Sequence, residues 1–362
     1  MRRALDLAKE GIGQTSPNPT VGAVLVRDQE IVGEGFHIWQ NKHHAEVVAI
    51  QSAGERAKNS TLYVTLEPCS HTGRTGPCTE AIIQAGITKV VAATRDPNPV
   101  VNGSGFDQLK KAGIPVEVDE SATAEAAALN EPFFHFMKTG KPLVTLKAAV
   151  TLDGKIAAPE DNDGWITSIK ARTHVQTLRH QHDAILTGIG TVLSDNPRLS
   201  DRSGLPRSRP FLRIVLDSQL RIPTDFDIVQ NAQNDLLIVC TSAANPERRK
   251  ALESKGIEVV ALDGKDGRTN LCGVVELLAQ RKHLSLMIEA GSKVNWATLE
   301  ANIIDKIYFY YAPKILGGMQ SLPVAGGTGR RRRIDAIELE RLKIHPIPPD
   351  EYAIEAYVHR PG

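Results

Sequence analysis

Cysteine is scarce in this chain: four in 362 residues, and scattered. A secreted disulfide framework needs a denser and more regular set. Net charge is nearly absent as well, with 43 Lys and Arg against 42 Asp and Glu. That balance removes any whole-protein attraction to nucleic acid or to acidic membranes. Aromatic residues make up 5%, and they do not alternate with basic residues as a single-strand binding groove requires. No run approaches the roughly 18 apolar residues that span a bilayer. The opening "MRRALDLAKEGIG" is amphipathic and broken by charge, unlike a signal peptide. The expectation is a cytoplasmic protein with no nucleic-acid or membrane partner.

What is there reads as two α/β domains, since the length exceeds what one core supports. Hydrophobic and charged contents of 41% and 23% are ordinary for a globular chain. "NPTVGAVLVRDQEIVGEGFH" predicts a β-hairpin turning around Asp28, and "HHAEVVAIQSAGERA" a helix breaking near Gly54. "TLYVTL" and "KVVAAT" predict strands, with a short helix between them ended by Gly86. This alternation predicts a layer with parallel pairing over about the first 140 residues. Gly140 and Pro142 punctuate a boundary, after which "PLVTLKAAV" opens a second series of strands. The domains therefore read as 1–140 and 141–362. Cys240 in "LLIVC" and Cys272 in "NLCGVVELL" read as small hydrophobes in core segments. The "RRRR" run at 330–333 reads as a solvated loop rather than a phosphate patch.

The other two cysteines lie in "EPCSHTGRTGPC", residues 67–78, among polar turn residues. Catalytic zinc takes three protein ligands and leaves a fourth position for water. Cys69 and Cys78 supply two candidates, and His44 of "HAE" a third. In a helix–strand–helix unit both helix N-termini sit at one end of the strand, where their dipoles favour thiolates. Glu46 then has a task, to carry a proton from activated water to a leaving amine. A lone HxE is more often a helix start with a solvated carboxylate; two Pro-Cys pairs beside it reverse the odds. The general zinc-deaminase signature has two residues between its cysteines, whereas here there are eight.

With these residues in hand, the chain resembles the bifunctional riboflavin-biosynthesis deaminase–reductase family. The family's "NPxVG", "HAE", "EPCSHxGRTxPC" and "TRDPNPxVxGxG" stand here as "NPTVG", "HAE", "EPCSHTGRTGPC" and "TRDPNPVVNGSG". Its reductase motifs stand as "LKAAVTLDGKIA", "WITSIKAR", "TGIGTVLSDNPRL" and a late "EAG". The match runs over nearly the whole chain, and the long Cys-to-Cys spacing is the family's own. The resemblance implies a cytidine-deaminase-like, three-layer α/β domain followed by a dihydrofolate-reductase-like α/β domain. The first would deaminate a diaminopyrimidinone ribosylamine phosphate with one zinc ion per chain. The second would reduce the ribosyl group to ribityl with NADPH, in a homo-oligomer. By the same resemblance His44, Cys69 and Cys78 hold zinc, Glu46 shuttles the proton, and Asn18, His37, His71 and Arg74 touch the pyrimidine or its phosphate. Asp96 and Asn98 are weaker candidates, because "RDPNP" is also ordinary turn chemistry.

For the second half the residues alone say less. No GxGxxG follows its first strand. "MIEAGSKVNWATLE" has the form strand, small-residue turn, helix, whose N–H groups suit a dinucleotide phosphate. The resemblance implies a cofactor lining of Ala149, Trp165, Thr191, Asp195 and Ser218, with Gly291, Ser292, Lys293, Val294, Asn295, Trp296 and Ala297. It implies substrate contacts from Lys147, Asp163, Arg179, Leu199, Arg202 and Glu289. Thr151 replaces a serine usual before "LDG" and keeps the hydroxyl. Asp163 replaces a serine of a relative, and a carboxylate beside a phosphate repels it unless a cation intervenes. Two other readings compete: a deaminase whose second domain serves only assembly, and a deaminase module acting on a flipped nucleic-acid base.

Overall fold

A computed structural model of the chain describes residues 1–73, 75–98, 101–160 and 164–360. They form two compact units, Met1–Gly140 with Pro206–Arg209, and Lys141–Leu205 with Pro210–Gly362. The first unit follows from its hairpin. Asp28 and Gln29 both take positive φ, 51° and 67°, and this two-residue turn puts Arg27 opposite Glu30. Strands β1 (Gly22–Arg27) and β2 (Glu30–Phe36) are therefore antiparallel. Helix α1 (Arg2–Glu10) precedes them and α2 (Ala45–Ala53) follows. The chain continues through β3 (Thr61–Val64), α3 (Cys78–Gln84), β4 (Lys89–Ala92), α4 (Ser104–Lys111) and β5 (Val116–Val118). Helices α5 (Glu120–Leu129) and α6 (Glu131–Thr139) end the unit.

The sheet order is β2-β1-β3-β4-β5. Only β3, β4 and β5 pair in parallel; β1 is antiparallel to both neighbours. The hairpin expected around Asp28 and the parallel pairing expected of the later strands thus meet in one mixed sheet, because a tight hairpin can only join antiparallel strands. One face packs Ala23, Leu25, Leu62, Val64 and Val90 against α2, α3 and α4. The other packs Val24 on Ala4 and Leu7 of α1, and Leu5 of α1 meets Ala122 and Ala126 of α5. This is the three-layer arrangement expected of the first domain. Helix α2 lies directly on β2 because glycines leave it room: a Cβ at Gly35 would stand 2.6 Å from the Ala45 carbonyl oxygen.

The second unit opens with β6 (Leu143–Thr151), β7 (Lys155–Ala157), α7 (Ile169–His180), β8 (Ala184–Gly188) and α8 (Ile189–Asp195). Next come β9 (Leu212–Leu216), α9 (Asp227–Gln230), β10 (Leu236–Cys240), α10 (Pro246–Glu253) and β11 (Glu258–Ala261). It closes with α11 (Leu271–Gln280), β12 (Ser285–Ile288), α12 (Ser292–Glu300), β13 (Lys306–Ala312), β14 (Leu322–Pro323), β15 (Leu339–Ile347) and β16 (Glu351–Val358). Nine strands run β11-β10-β9-β8-β12-β6-β13-β16-β15. All pairs from β11 to β13 are parallel, and β16 and β15 add antiparallel partners at one edge. Parallel strands covered on both faces read as continuous apolar runs, as "LRIVL" of β9 and "LLIVC" of β10 do.

Cys240 is buried, as expected, but Cys272 is exposed. The correction has a local cause: Cys272 sits in the first turn of α11, whose inward positions are Gly273, Val274, Val275 and Leu278. Arg330 to Arg333 are all exposed, in keeping with a solvated loop.

The close approach of α2 to β2 generates a prediction. Gly35→Val should overpack this joint and cost about 1–3 kcal/mol or more, measured by chemical denaturation of the full chain. Wild-type stability in the variant would mean that α2 can back away freely.

Candidate functional site

Strands β2 and β3 are both antiparallel to β1, and β4 is parallel to β3, so all three end at one edge of the first sheet. Beyond the end of β2 the chain passes His37 and reaches His44, the N-cap of α2. Glu67 and Cys69 follow the end of β3, and Asp96 follows β4. Cys78 opens α3, and its N–H lies 3.4 Å from Cys69 Sγ. His44 Nδ1 is 3.1 Å from Cys78 Sγ and 3.5 Å from Cys69 Sγ. The three donor atoms all lie within 4.8 Å of one another. A tetrahedral ion about 2.0–2.3 Å from each donor holds them roughly 3.5–4 Å apart, and one nitrogen with two sulfurs is a zinc donor set. The residues fit that metal.

The electrostatics are those of a buried, polarised cluster. Hydrogen bonding from Cys78, and then from His44, holds the Cys69 thiol down to about 4, against the effect of burial. Cys78 is pushed up by that same bond and by burial. The bond to Cys69 raises His44. A metal ion must expel the protons held here, so its binding weakens in acid. Glu46, in the first turn of α2, is 4% exposed. Burial pushes its carboxyl up from the ordinary carboxylate range.

Around this core His37 donates from Nδ1 to the His43 carbonyl, 2.9 Å, and accepts at Nε2 from the Asn18 amide, 3.1 Å. The carbonyl can only accept, which fixes the tautomer. The His37 ring meets the His44 ring edge-on at 5.3 Å. His71 is exposed on the loop between the cysteines, and Arg74 lies outside the described residues. Asp96 is 7% exposed, and burial pushes its carboxyl up to about 6, with Cys69 and His71 close enough to act on it. Sequence reasoning gave no weight to Glu67. Its buried carboxylate accepts N–H groups from Asp96, Gly103, Gly105 and Phe106. A Glu-Pro dipeptide reads as turn chemistry, and its partners lie 29 to 39 residues on.

In the second unit Glu289 follows β12, its N–H bonded to the Leu186 carbonyl of β8. Its carboxylate accepts from Lys147 Nζ at 3.2 Å, from Arg179 Nε at 2.8 Å and from the Arg179 terminal nitrogen at 3.1 Å. Burial opposes that charge, but Lys147 and then Arg179 outweigh it and hold the carboxyl down to about 2. Arg179 also donates to the Ser200 carbonyl at 2.9 Å. Beside it the buried pair His180–Asp201, 2.9 Å apart, anchors the loop that carries Leu199 and Arg202. Neither member of that pair was singled out from the sequence. Leu199 is buried at φ 52°, and Arg202 is exposed with its N–H on Gln176.

The two small-residue turns adjoin. A Cβ at Gly188 would lie 2.7 Å from Val294, and one at Gly291 would lie 3.6 Å from the Thr191 hydroxyl. Gly291 is the N-cap of α12, and no side chain caps the helix, which leaves its first N–H groups to an anion. That geometry fits a dinucleotide phosphate. Ser292 and Asn295 instead turn their side chains to the carbonyls of Pro323 and Val324. Trp296 packs beneath Gly327, with the Arg330 guanidinium 5.6 Å over its ring. Lys293 and Asp195 are exposed, Ala149 and Ala297 half-buried, and Ser218 follows β9 and accepts at its carbonyl from Thr241. Trp165 is exposed, with the Arg172 guanidinium 4.3 Å over its ring. Thr151 bonds Asp153 at 2.6 Å, so its hydroxyl is used. Asp163 lies outside the described residues.

Residues 1–94 match the cytidine and deoxycytidylate deaminase zinc-binding region, and residues 142–350 match the RibD C-terminal domain. The riboflavin biosynthesis protein RibD of Actinobacillus pleuropneumoniae is 41% identical over 340 residues, 94% of this chain and 90% of that one. The chain belongs to the RibD family. The solved RibD of Acinetobacter baumannii superposes with a TM-score of 0.87 at 34% identity, covering 99% of this chain and 98% of that one. A Thermotoga maritima structure, a diaminohydroxyphosphoribosylaminopyrimidine deaminase/5-amino-6-(5-phosphoribosylamino)uracil reductase, gives 0.81 at 34% identity, covering 99% and 97%. As a RibD, the chain is a bifunctional enzyme of riboflavin biosynthesis, a deaminase with a zinc-binding region followed by a reductase. Among the described residues no helix is long and apolar enough to cross a membrane.

The Lys147–Glu289–Arg179 cluster generates the second prediction. The folded carboxyl of Glu289 titrates below its ordinary range near 4.5. The stability it supplies is complete above that range and is lost as the pH falls towards 2. Glu289→Gln should lose about 3–5 kcal/mol near neutrality, because two cations stay buried without their counter-charge, and should show a shallower acid slope. Chemical denaturation from neutral pH downward measures both; parallel slopes would remove Glu289 as their source.

Proposed function

We propose that the first unit hydrolyses the exocyclic amine of a diaminopyrimidinone ribosylamine phosphate, and that the second reduces the ribosyl group of the product to ribityl. The observation that carries this reading is the His44, Cys69 and Cys78 cluster beside the buried carboxyl of Glu46. Zinc on those three ligands supplies a water of lowered pKa, and NADPH supplies the hydride in the second unit. In our reading Glu46 takes the proton of the attacking water and returns it to the departing amine. Water is consumed, the ring carbon gains a carbonyl, and ammonia leaves. The paired Asn18 and His37 face the pyrimidine edge, and His71 and Arg74 take its phosphate.

In the second unit the ring-carbon-to-oxygen bond of the ribosyl group breaks as hydride reaches the anomeric carbon, and a proton goes to the ring oxygen. Lys147 is placed to hold that proton, and Glu289 keeps both Lys147 and Arg179 aimed at the sugar phosphate. Arg202 joins Arg179 there, with Leu199 beneath. The adjoining turns at Gly188 and Gly291 would hold the cofactor, with Ala149 and Trp165 among the residues that would contact it. The intact cluster of Lys147, Arg179 and Glu289 favours a working reductase over a domain kept only for assembly. Phosphorylated intermediates do not cross membranes unaided, which favours a cytoplasmic location. Self-association is proposed through the edge strand β15, where Leu342 and Ile344 are exposed.

A coupled assay tests the whole reading: the full chain, given that substrate with NADPH, should release ammonia and consume nicotinamide absorbance. Glu46→Gln should keep about one zinc per chain by metal analysis. Its deamination should fall by about 10²–10⁴-fold, while reduction of the deaminated compound continues. Deamination at the wild-type rate in that variant would exclude Glu46 as the proton carrier.

A further inference from the structure

Glu67 is 3% exposed and stands two residues before Cys69, yet among the described residues the donors to its carboxylate come from the segment after β4 and the first turn of α4. Oε2 accepts from the N–H groups of Asp96 at 3.3 Å and Gly103 at 3.0 Å. Oε1 accepts from Gly105 at 3.0 Å and Phe106 at 3.3 Å, in the first turn of α4. The Glu67 N–H itself bonds the Thr94 carbonyl at 3.0 Å. Further ties run alongside. Ser70 Oγ meets Ser104 Oγ at 2.6 Å, and the Thr79 hydroxyl joins Gln108 at 2.7 Å and the Cys69 carbonyl at 3.3 Å. The approach is close enough that a Cβ on Gly105 would stand 2.0 Å from the Pro68 carbonyl oxygen.

From this geometry we propose that Glu67 is a positioning residue for deamination. It fixes Asp96, Gly103 and the start of α4 against the loop that carries Cys69, so that the substrate meets one prebuilt wall. This rests on the reading that the first unit is the deaminase and that the Asp96 loop faces its substrate. Glu67 touches neither the reacting atoms nor the zinc ligands' donor atoms in this role. Its carboxylate is symmetric towards two pairs of donors, and that symmetry is what a neutral amide lacks. In Glu67→Gln the amide nitrogen must face N–H donors at one end or the other, so one pair of bonds is lost.

The test measures zinc content, reductase rate and deaminase KM and kcat on the full-length chain. For Glu67→Gln, zinc and reductase should be unchanged, which reports an intact fold. Deaminase KM should rise by about tenfold or more, the size of lost charge-assisted hydrogen bonds, with kcat little changed. Gly105→Ala strains the same joint from the other side and should give the same split; it decides the matter alone if Glu67→Gln does not fold. Unchanged KM, zinc lost in step with activity, or a loss confined to kcat would each overturn the proposal. Asp96→Asn separates the two layers of the argument. Unaltered deaminase kinetics in that variant overturn the reading that this loop faces the substrate, whereas an impaired Asp96→Asn beside a normal Glu67→Gln overturns the role of Glu67 alone.

Discussion

Burying a carboxylate costs several kcal/mol unless something replaces its water, and both halves of this chain are arranged around carboxylates buried in different company. Glu289 is met by two cations and is driven firmly into its charged form. Glu46 is buried with less compensation, and burial pushes its carboxyl up from the ordinary range. Among the described residues Glu67 is met by backbone N–H groups. The same side chain is thus held in its charged form, pushed up by burial or met by backbone N–H groups, according to what surrounds it. In each case the partners come from separate segments, so the fold must be complete before the charge is tolerable.

What brings those segments together is strand direction. In the first unit β2, β3 and β4 end at one edge although the hairpin makes the sheet mixed, and the loops beyond them carry His44, Cys69 and Asp96. In the second unit β8 and β12 run parallel, and their two following turns meet at Gly188 and Val294. Ligand chemistry in α/β folds gathers outside the carboxyl ends of strands for this reason. The glycines at these crossings leave room for backbone: Gly33 and Gly35 under α2, Gly105 against Pro68.

Much of this was legible in the residues, and the reason is local. The hairpin around Asp28, the helix from Ala45 and the apolar runs of β9, β10 and β12 are written in periods and turns of a few residues. The zinc cluster could be read because its residue types are rare and chemically specific, and because the motif around Cys69 and Cys78 is long. The direction of β1 against β3 was not legible, since pairing is a long-range choice. Nor was the exposure of Cys272, where one position on an amphipathic helix decides between core and solvent. Glu67 and the His180–Asp201 pair escaped notice because nothing beside them in sequence announces partners that arrive only with the fold.

The eight residues between Cys69 and Cys78 show how the two kinds of information combine. With only two residues between them, both cysteines would share a single helical turn, and nothing could project from it. Here the ends are pinned instead by the fold: the Thr79 N–H and hydroxyl both return to the Cys69 carbonyl, and the Cys78 N–H reaches Cys69 Sγ. The ligands therefore keep their spacing whatever the intervening loop does. His71 stands exposed beyond these ties, away from the contacts that set the spacing of the two cysteines. A longer spacing that would loosen an unsupported site is, with its ends tied in this way, compatible with fixed ligand positions.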